Sequence, residues 1–401
     1  MLSASASDQI SKPLPQAGSI HGSLLLIGSC LPVLGAVLLG PVLVDIQAHF
    51  STSAMVTVLT PMVLTIPALM IAVFAPFAGL LADKFGRRKL LLSALIIYSL
   101  FGTAPLYLQT LNAILLSRIG LGIAEAVIMT VCSALIGDYF AGRKRETWLS
   151  LQGAVASLSA SLFFGLGGAL GQLGWRLPFW LYTVGFVLLP LFIYFIWEPV
   201  APHNVHVEHA VQKLPRRLLM VIYPLGIITG IALLMVPIQL SFLLSDLHIH
   251  SPSITGMISA ANQLGVFAGS ILFRWLIKCR YAIVLIIGFL LAGAGLLTVS
   301  LSGLPLLILL GSCICGLGCG LLLVDMITLT LAMLPASIRG VGVGGLNSCI
   351  FLGEFLSPLL ILLLRYFGCE LDEALGLCGL VMLVLVIPSV YMHFFDKEKI
   401  V

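Results

Sequence analysis

Long apolar runs separated by short polar connections limit what this chain can fold into. Twelve runs can be distinguished, at about residues 22–45, 55–82, 89–108, 112–136, 148–171, 176–197, 218–243, 252–276, 281–301, 305–334, 340–365 and 371–394. A run of about 20 apolar residues is long enough to cross the hydrocarbon core of a bilayer. The runs are too continuously apolar for barrel strands, and helices satisfy their own backbone polar groups in lipid. The sequence therefore predicts an all-α membrane protein with twelve transmembrane helices.

The positions of lysine and arginine predict the orientation in the membrane. Cytoplasmic connections carry an excess of these residues. If both termini are cytoplasmic, seventeen of the 20 basic residues lie in cytoplasmic segments: Lys12, Lys84, Arg87, Arg88, Lys89, Arg143, Lys144, Arg145, Lys213, Arg216, Arg217, Arg274, Lys278, Arg280, Arg339, Lys397 and Lys399. Since these clusters account for the net charge of +4, they indicate contact with a lipid bilayer and no nucleic-acid partner.

A polar, proline-containing connection divides the chain into two groups of six spans. We predict a cytoplasmic tail at 1–21, a six-helix bundle at 22–197, a central cytoplasmic loop at 198–217, a second six-helix bundle at 218–394 and a cytoplasmic tail at 395–401. A weak repeat supports this division, because RIGLGIAEA from Arg118 and SCICGLGCG from Ser312 are 194 residues apart and share their small-residue positions. The same offset relates Arg145 to Arg339. Two parallel six-helix halves are a plan used by membrane transporters.

The connection between spans 2 and 3 carries the most specific local pattern, GLLADKFGRRKLL at residues 79–91. Gly79 permits close approach of helices, and Gly86 allows a turn conformation that residues with a Cβ disfavour. Asp83 is expected to accept hydrogen bonds from the N-terminus of the next helix, where negative charge is favoured. Arg87 and Arg88 are expected at the anionic inner leaflet.

This stretch resembles the loop motif G-x-L-a-D-r-x-G-r-r-k of the major facilitator superfamily, at the same place between spans 2 and 3. The resemblance implies the major facilitator fold, two pseudo-symmetric six-helix bundles around a central cavity. It also implies that Gly79, Asp83, Gly86, Arg87 and Arg88 form a conformational gate. In the family this loop makes a charge network with a nearby helix end, and Asp138 in IGDYF is the candidate partner for Arg87.

Two ionisable groups within span 4 need an explanation. Arg118 and Glu125 are seven residues apart, so both lie on one face of a helix, about 10 Å apart along its axis and too far apart to pair. A charge at this depth normally faces a cavity or an internal partner. The surrounding LLSRIGLGIAEA is similar to the superfamily motif L-x-x-R-x-x-x-G-x-g-x-a, in which the arginine is linked to proton transfer in proton-coupled members. Alternatively, Arg118 binds carbonyl groups of span 1 or 2, and Glu125 is a buried packing acid.

Three further acids lie at membrane depth. Asp45 ends span 1, where it pairs with Arg118 or caps a helix end at the interface. In the superfamily, spans 1, 4, 7 and 10 line the cavity, so Asp325 in span 10 is a better cavity candidate than Glu354 in span 11, unless helical phase reverses this order. These acids are proton-coupling candidates together with Arg118 and Glu125. The amides proposed as cavity-lining residues are Gln239, Asn262, Gln263 and Asn347.

The predicted function is proton-coupled export of drugs or amphiphilic small molecules by alternating access. Span 1 resembles that of twelve-span drug:proton antiporters, and span 5 keeps their glycine pair at Gly167 and Gly168 but has phenylalanines in place of the Gly-Pro step. The alternatives are transport of a specific metabolite such as an organic acid, a sugar or a siderophore, and a membrane sensor or scaffold. No catalytic pattern indicates an enzyme.

The expected energy source is the proton gradient. The histidines His203, His206 and His209 are interpreted as solvated loop residues, so no metal or other cofactor is expected. The expected partners are a small-molecule solute, protons and the bilayer. We expect a monomer in a bacterial inner membrane.

Overall fold

A computed structural model describes residues 17–53, 55–199, 215–216, 218–276, 281–335 and 338–395. Within these residues it contains twelve helices that are long and apolar enough to cross a membrane: α1 (Ser19–His49), α2 (Val56–Phe85), α3 (Arg87–Leu106), α4 (Leu111–Tyr139), α5 (Gly142–Gly171), α6 (Leu177–Phe195), α7 (Leu218–Asp246), α8 (Pro252–Leu276), α9 (Tyr281–Leu301), α10 (Pro305–Met333), α11 (Arg339–Tyr366) and α12 (Leu371–Val390). The prediction of an all-α protein with twelve spans is confirmed. Most of the two predicted tails and of the central loop lies outside the described residues.

The helices differ from the sequence prediction in two places, at the polar start of α5 and at a proline within α1. α5 begins at Gly142 and not near residue 148, because the polar turns after Gly142 are already helical before the chain becomes apolar. α1 narrows to a 3₁₀ turn at Gly40–Val42. Since Pro41 has no backbone N–H, it cannot continue a regular α-helical ladder at this point.

The two halves are related by the predicted offset. α4 and α10 are both 29 residues long, and their first residues, Leu111 and Pro305, are 194 positions apart. After α4, Arg145 donates from Nε to the carbonyl of Phe140 at 2.9 Å. After α10, Arg339 donates from Nε to the carbonyl of Leu334 at 3.0 Å. The same arginine–carbonyl contact therefore follows the fourth helix of each bundle.

The halves meet at the helix ends opposite to the basic turn at residues 83–89. Three hydrogen bonds cross between the halves within the described part of the chain: Ser161 Oγ to the Ala260 carbonyl at 3.1 Å, Ser241 Oγ to the Gly40 carbonyl at 2.5 Å and Ser251 Oγ to Gln172 Oε1 at 3.3 Å. At the same level, a Cβ on Gly168 would lie 2.9 Å from the Cα of Gly256, so α5 and α8 are nearly in backbone contact. The end away from the basic turn is therefore closed.

Candidate gate and buried ionisable site

The turn between α2 and α3 carries a charge network. Gly86 has φ +90°, a left-handed conformation that strains residues with a Cβ. This turn lets α3 begin at once with Arg87, whose guanidinium forms an ion pair with Asp138 at the end of α4 and contacts Asp83 at 3.5 Å. The arrangement links α2, α3 and α4 at the end of the first half where the basic residues are clustered.

The acid that caps α3 is Glu198, and the expectation that Asp83 would accept these hydrogen bonds is wrong. The carboxylate of Glu198 accepts from the backbone N–H of Arg87 at 2.7 Å and from that of Arg88 at 2.9 Å. Asp83 instead lies in the last turn of α2, and its side chain is 72% exposed. A carboxylate at this position satisfies free N–H groups and opposes the positive end of the helix dipole. Since Glu198 follows α6, the cap ties the end of α6 to the start of α3.

Aromatic residues position the segment that carries Glu198. Tyr139 donates from its hydroxyl to the Trp197 carbonyl at 2.5 Å and accepts from the Trp197 N–H at 3.0 Å. The two rings are stacked with centroids 4.5 Å apart, and the ring of His21 lies 4.7 Å from that of Trp197. Tyr139 and Trp197, which precede or follow the two acids in the chain, are thus bonded directly to each other.

Arg118 lies fully enclosed in the first half. Its Nη2 donates to the carbonyls of Phe101 and Gly102, both at 3.1 Å. The guanidinium carbon lies 5.3 Å from the ring centroid of Phe179 and 5.1 Å from that of Tyr182, which adds cation–π attraction. Both carbonyls belong to α3. The alternative interpretation, in which Arg118 binds carbonyl groups of span 1 or 2, is therefore wrong about the partner helix. Within the described residues no ion pair joins Arg118 to Asp45 or Glu125.

Glu125 lies two turns further along α4, and its side chain has no solvent-exposed area. Neither carboxyl oxygen has a hydrogen-bond partner among the described residues. The carboxyl lies against Gly35 of α1, where an added Cβ would overlap Oε1. The interpretation of Glu125 as a carboxylate that faces a hydrated cavity does not fit this arrangement. In this conformation the carboxyl is instead enclosed, because the missing side chain at Gly35 lets α1 close over it.

The other membrane acids have different environments. Asp325 is also fully enclosed, with no hydrogen-bond partner for either oxygen among the described residues. Glu354 and Asp45 are half-buried. The expected order of exposure of Asp325 and Glu354 is therefore reversed in this conformation.

The four amides proposed as cavity-lining residues are not equivalent. Asn262 donates from Nδ2 to the Ser312 carbonyl at 2.8 Å, which bridges α8 to α10. Gln263 lies 3.5 Å from the Asn262 side chain, and both residues are buried. Gln239 is buried in α7, whereas Asn347 in α11 is half-buried. Asn262 is thus engaged in helix packing, and Asn347 is the most accessible of the four.

Residues 25–245 and 222–399 match the family described as Major Facilitator Superfamily. The chain belongs to this superfamily. With its twelve apolar helices it is a multi-pass integral membrane protein, and its charged turn occupies the place where the superfamily motif is expected.

Similar members of the superfamily differ in their described roles. The chain is 30% identical over 161 residues to the "Tetracycline resistance protein, class H" of Pasteurella multocida. This alignment covers 39% of each chain. It is 27% identical over 121 residues to the "3-(3-hydroxy-phenyl)propionate transporter" of Escherichia coli (strain K12), which covers 30% of each. These alignments span less than half of the relatives' lengths.

A solved structure shares the fold over most of the chain. It is described as a bacterial homolog to the human lysosomal transporter Spinster, in an inward-facing and occupied conformation. Its TM-score is 0.75 at 16% identity, over 94% of this chain and 96% of that chain. The likeness supports the fold alone.

One polar cluster was not found from the sequence. Gln152 of α5 contacts Ser29 of α1 and Ser133 of α4 through its side-chain amide. Serine and glutamine are common in apolar runs as isolated residues, so the contact depends on the packing of three helices. Among the described residues, no group of three or more His, Cys, Asp or Glu side chains is arranged to hold a metal ion. His203, His206 and His209 lie outside the described residues.

Proposed function

We propose that the protein is a proton-coupled secondary active transporter that exports drugs or amphiphilic small molecules by alternating access. The observation that carries the coupling is Glu125, an enclosed carboxyl without a hydrogen-bond partner in the core of the first half. The similarity of the chain to a tetracycline resistance protein supports export of a drug-like solute. The energy source would be the proton gradient across a bacterial inner membrane, with no bound cofactor and with both termini cytoplasmic.

The proposed cycle links the proton to closure around Glu125. An ionised carboxylate without partners is costly at this depth, so closing α1 over Glu125 is coupled to uptake of a proton. Rocking the halves apart at the closed end, which lies opposite to the basic cytoplasmic turns, would let Glu125 take up its proton from outside. After closure the proton would leave toward the cytoplasm. Asp325 is the second candidate carboxyl, in the other half.

Replacing Glu125 by glutamine tests this role. Purified variants are placed in liposomes, and tetracycline and ethidium transport is measured with and without an imposed pH gradient. Glu125→Gln should lose gradient-driven accumulation but retain exchange of labelled solute down its own concentration gradient, since glutamine keeps the shape of the protonated acid. Glu146→Gln is the control, because Glu146 is an exposed acid near the start of α5. Unchanged gradient-driven accumulation in Glu125→Gln would reject Glu125 as the coupling group.

A second candidate function is transport of a specific metabolite such as an organic acid. The observation that favours it is the similarity to a 3-(3-hydroxy-phenyl)propionate transporter. An anionic solute would need a cationic contact, yet Arg118 is enclosed and already donates to two carbonyls. Binding of 3-(3-hydroxyphenyl)propionate that is lost in Arg118→Gln and retained in Arg176→Gln would favour this function over drug export.

A further inference from the structure

Three polar side chains from three helices of the first half meet at one point. Gln152 of α5 donates from Nε2 to Ser29 Oγ of α1 at 2.7 Å and to Ser133 Oγ of α4 at 3.1 Å. Each contact joins a different pair of helices. The group of Ser29, Ser133 and Gln152 is called the amide cluster below.

The hydrogen bonds of the two serines fix the orientation of the amide. Ser29 donates its hydroxyl hydrogen to the Leu25 carbonyl at 2.8 Å, and Ser133 donates to the Met129 carbonyl at 3.0 Å. A hydroxyl has one hydrogen, so both serine oxygens are left as acceptors and must face the NH₂ group of Gln152. Ser133 therefore has no hydrogen left for Gln152 Oε1, although the two atoms are 3.3 Å apart.

The amide oxygen of Gln152 is left with unused acceptor capacity. Both amide hydrogens are engaged by serines, whereas Oε1 can accept up to two hydrogen bonds. An acceptor in an apolar site has to find a donor when water is excluded. The amide cluster is thus organised to accept one or two hydrogen bonds from a molecule that enters from outside the helices.

The position of the amide cluster makes such entry possible. Gln152 and Ser133 are half-buried, and Ser133 continues a partly exposed stripe on α4 that includes Met129, Thr130 and Gly137. Gln152 lies ten residues from the start of α5, about 15 Å along the axis from that end. The hydrogen bonds between the halves lie toward the opposite ends of their helices. The amide cluster is therefore displaced along the helices from the hydrogen bonds that join the halves, and two of its three residues are partly exposed.

We propose that the amide cluster is a solute-binding subsite that accepts a hydrogen bond from an N–H or O–H group of the transported molecule. The inference rests on the proposed function, since it takes the solute to be an amphiphilic molecule that enters between the halves. Gln152 Oε1 is the recognising atom. Ser29 and Ser133 are positioning residues that hold the amide in one orientation.

Two lipophilic cations test the subsite. Ethidium carries aromatic amino groups with N–H donors, whereas tetraphenylphosphonium has no N–H or O–H group. Binding of each probe to the purified full chain in nanodiscs is measured by equilibrium titration, without a pH gradient. Gln152→Leu should weaken ethidium binding about five- to tenfold, the effect of one lost hydrogen bond, and leave tetraphenylphosphonium binding within about twofold.

Control variants separate recognition from folding. Ser157→Ala removes a half-buried serine of α5 that donates to the carbonyl of Gly153, and it should change neither affinity. Ser133→Ala frees one amide hydrogen and should weaken ethidium binding about two- to threefold, so it provides the test if Gln152→Leu does not fold. Thermal unfolding of each variant is measured alongside the titrations.

The results that would overturn the subsite are distinct from those that would overturn the proposed function. Equal weakening of both probes by Gln152→Leu would show a packing role, and no weakening of either would show that Oε1 is not used. Absence of ethidium binding to the unaltered chain would also reject the subsite in this form. Loss of proton coupling is read separately, by Glu125→Gln in the transport assay, which the binding titration does not involve.

Discussion

Replacing Gly35 by alanine tests the close packing that encloses Glu125. A Cβ on Gly35 would overlap Oε1 of the Glu125 carboxyl. Since the Glu125 side chain is fully buried, the oxygen cannot move out into solvent. The added methyl must therefore displace the carboxyl or push α1 away from α4. Inserting a methyl into a well-packed site costs about 1–3 kcal/mol of unfolding free energy, and Gly35→Ala should lie in this range.

The same geometry predicts that a second substitution removes the penalty. In Glu125→Ala the carboxyl is absent, so the methyl of Gly35→Ala enters the space that it leaves. The double variant should then be more stable than the sum of the single effects predicts, by about 1–3 kcal/mol of coupling energy. A pair of this kind separates the contact itself from any general effect of alanine in α1.

The assay is unfolding of purified variants in mixed micelles with increasing denaturing detergent, followed by circular dichroism. Gly153→Ala is the control, because a Cβ at Gly153 has no atom within 4 Å; it should be neutral or slightly stabilising, since alanine is the better helix former. Additive effects within about 0.5 kcal/mol would show that Gly35 and Glu125 are not in contact and would refute the reasoning.

Two further predictions concern the ends of the helices. Glu198→Gln should lower the unfolding free energy by about 1 kcal/mol, because a neutral amide has only one oxygen for the two N–H groups at the start of α3. Thermal unfolding measures this loss. An equal loss in the exposed control Glu146→Gln would contradict the prediction. Gly256→Ala places a Cβ 2.7 Å from the Phe164 carbonyl across the halves and should open the closed end, which spin-label distances between α5 and α8 report. An unchanged distance distribution would argue against this contact as a gate, and Gly303→Ala, with no atom within 4 Å of its Cβ, is the control.

Much of the fold could be predicted from the sequence because lipid imposes simple rules. Apolar runs of sufficient length must be helical, and the central polar connection divides them into two sets of six. The ion pair between Arg87 and Asp138 could also be anticipated, since the superfamily motif places a base near a helix end and α4 ends in an acid.

The missed contacts depend on how helices distant in sequence pack together. Glu198 follows α6 in a polar stretch with no pattern of its own, and its role as cap is set by the fold around Trp197. Arg118 meets α3 and not span 1 or 2, because phase and neighbours around α4 decide its partners. The accessibility of Asp325 and Glu354 was misjudged for the same reason, since the sequence gives the depth of a residue but not the direction of its side chain.

The arginine–carbonyl contact that follows α4 and α10 has a consequence for how the two halves have diverged. Its acceptors are main-chain oxygens, at Phe140 in one half and Leu334 in the other. Replacement of a side chain leaves such an oxygen in place, so each copy was free to change its residue there without losing the bond. Two related halves can in this way keep the same contact after their sequences have diverged at the acceptor position.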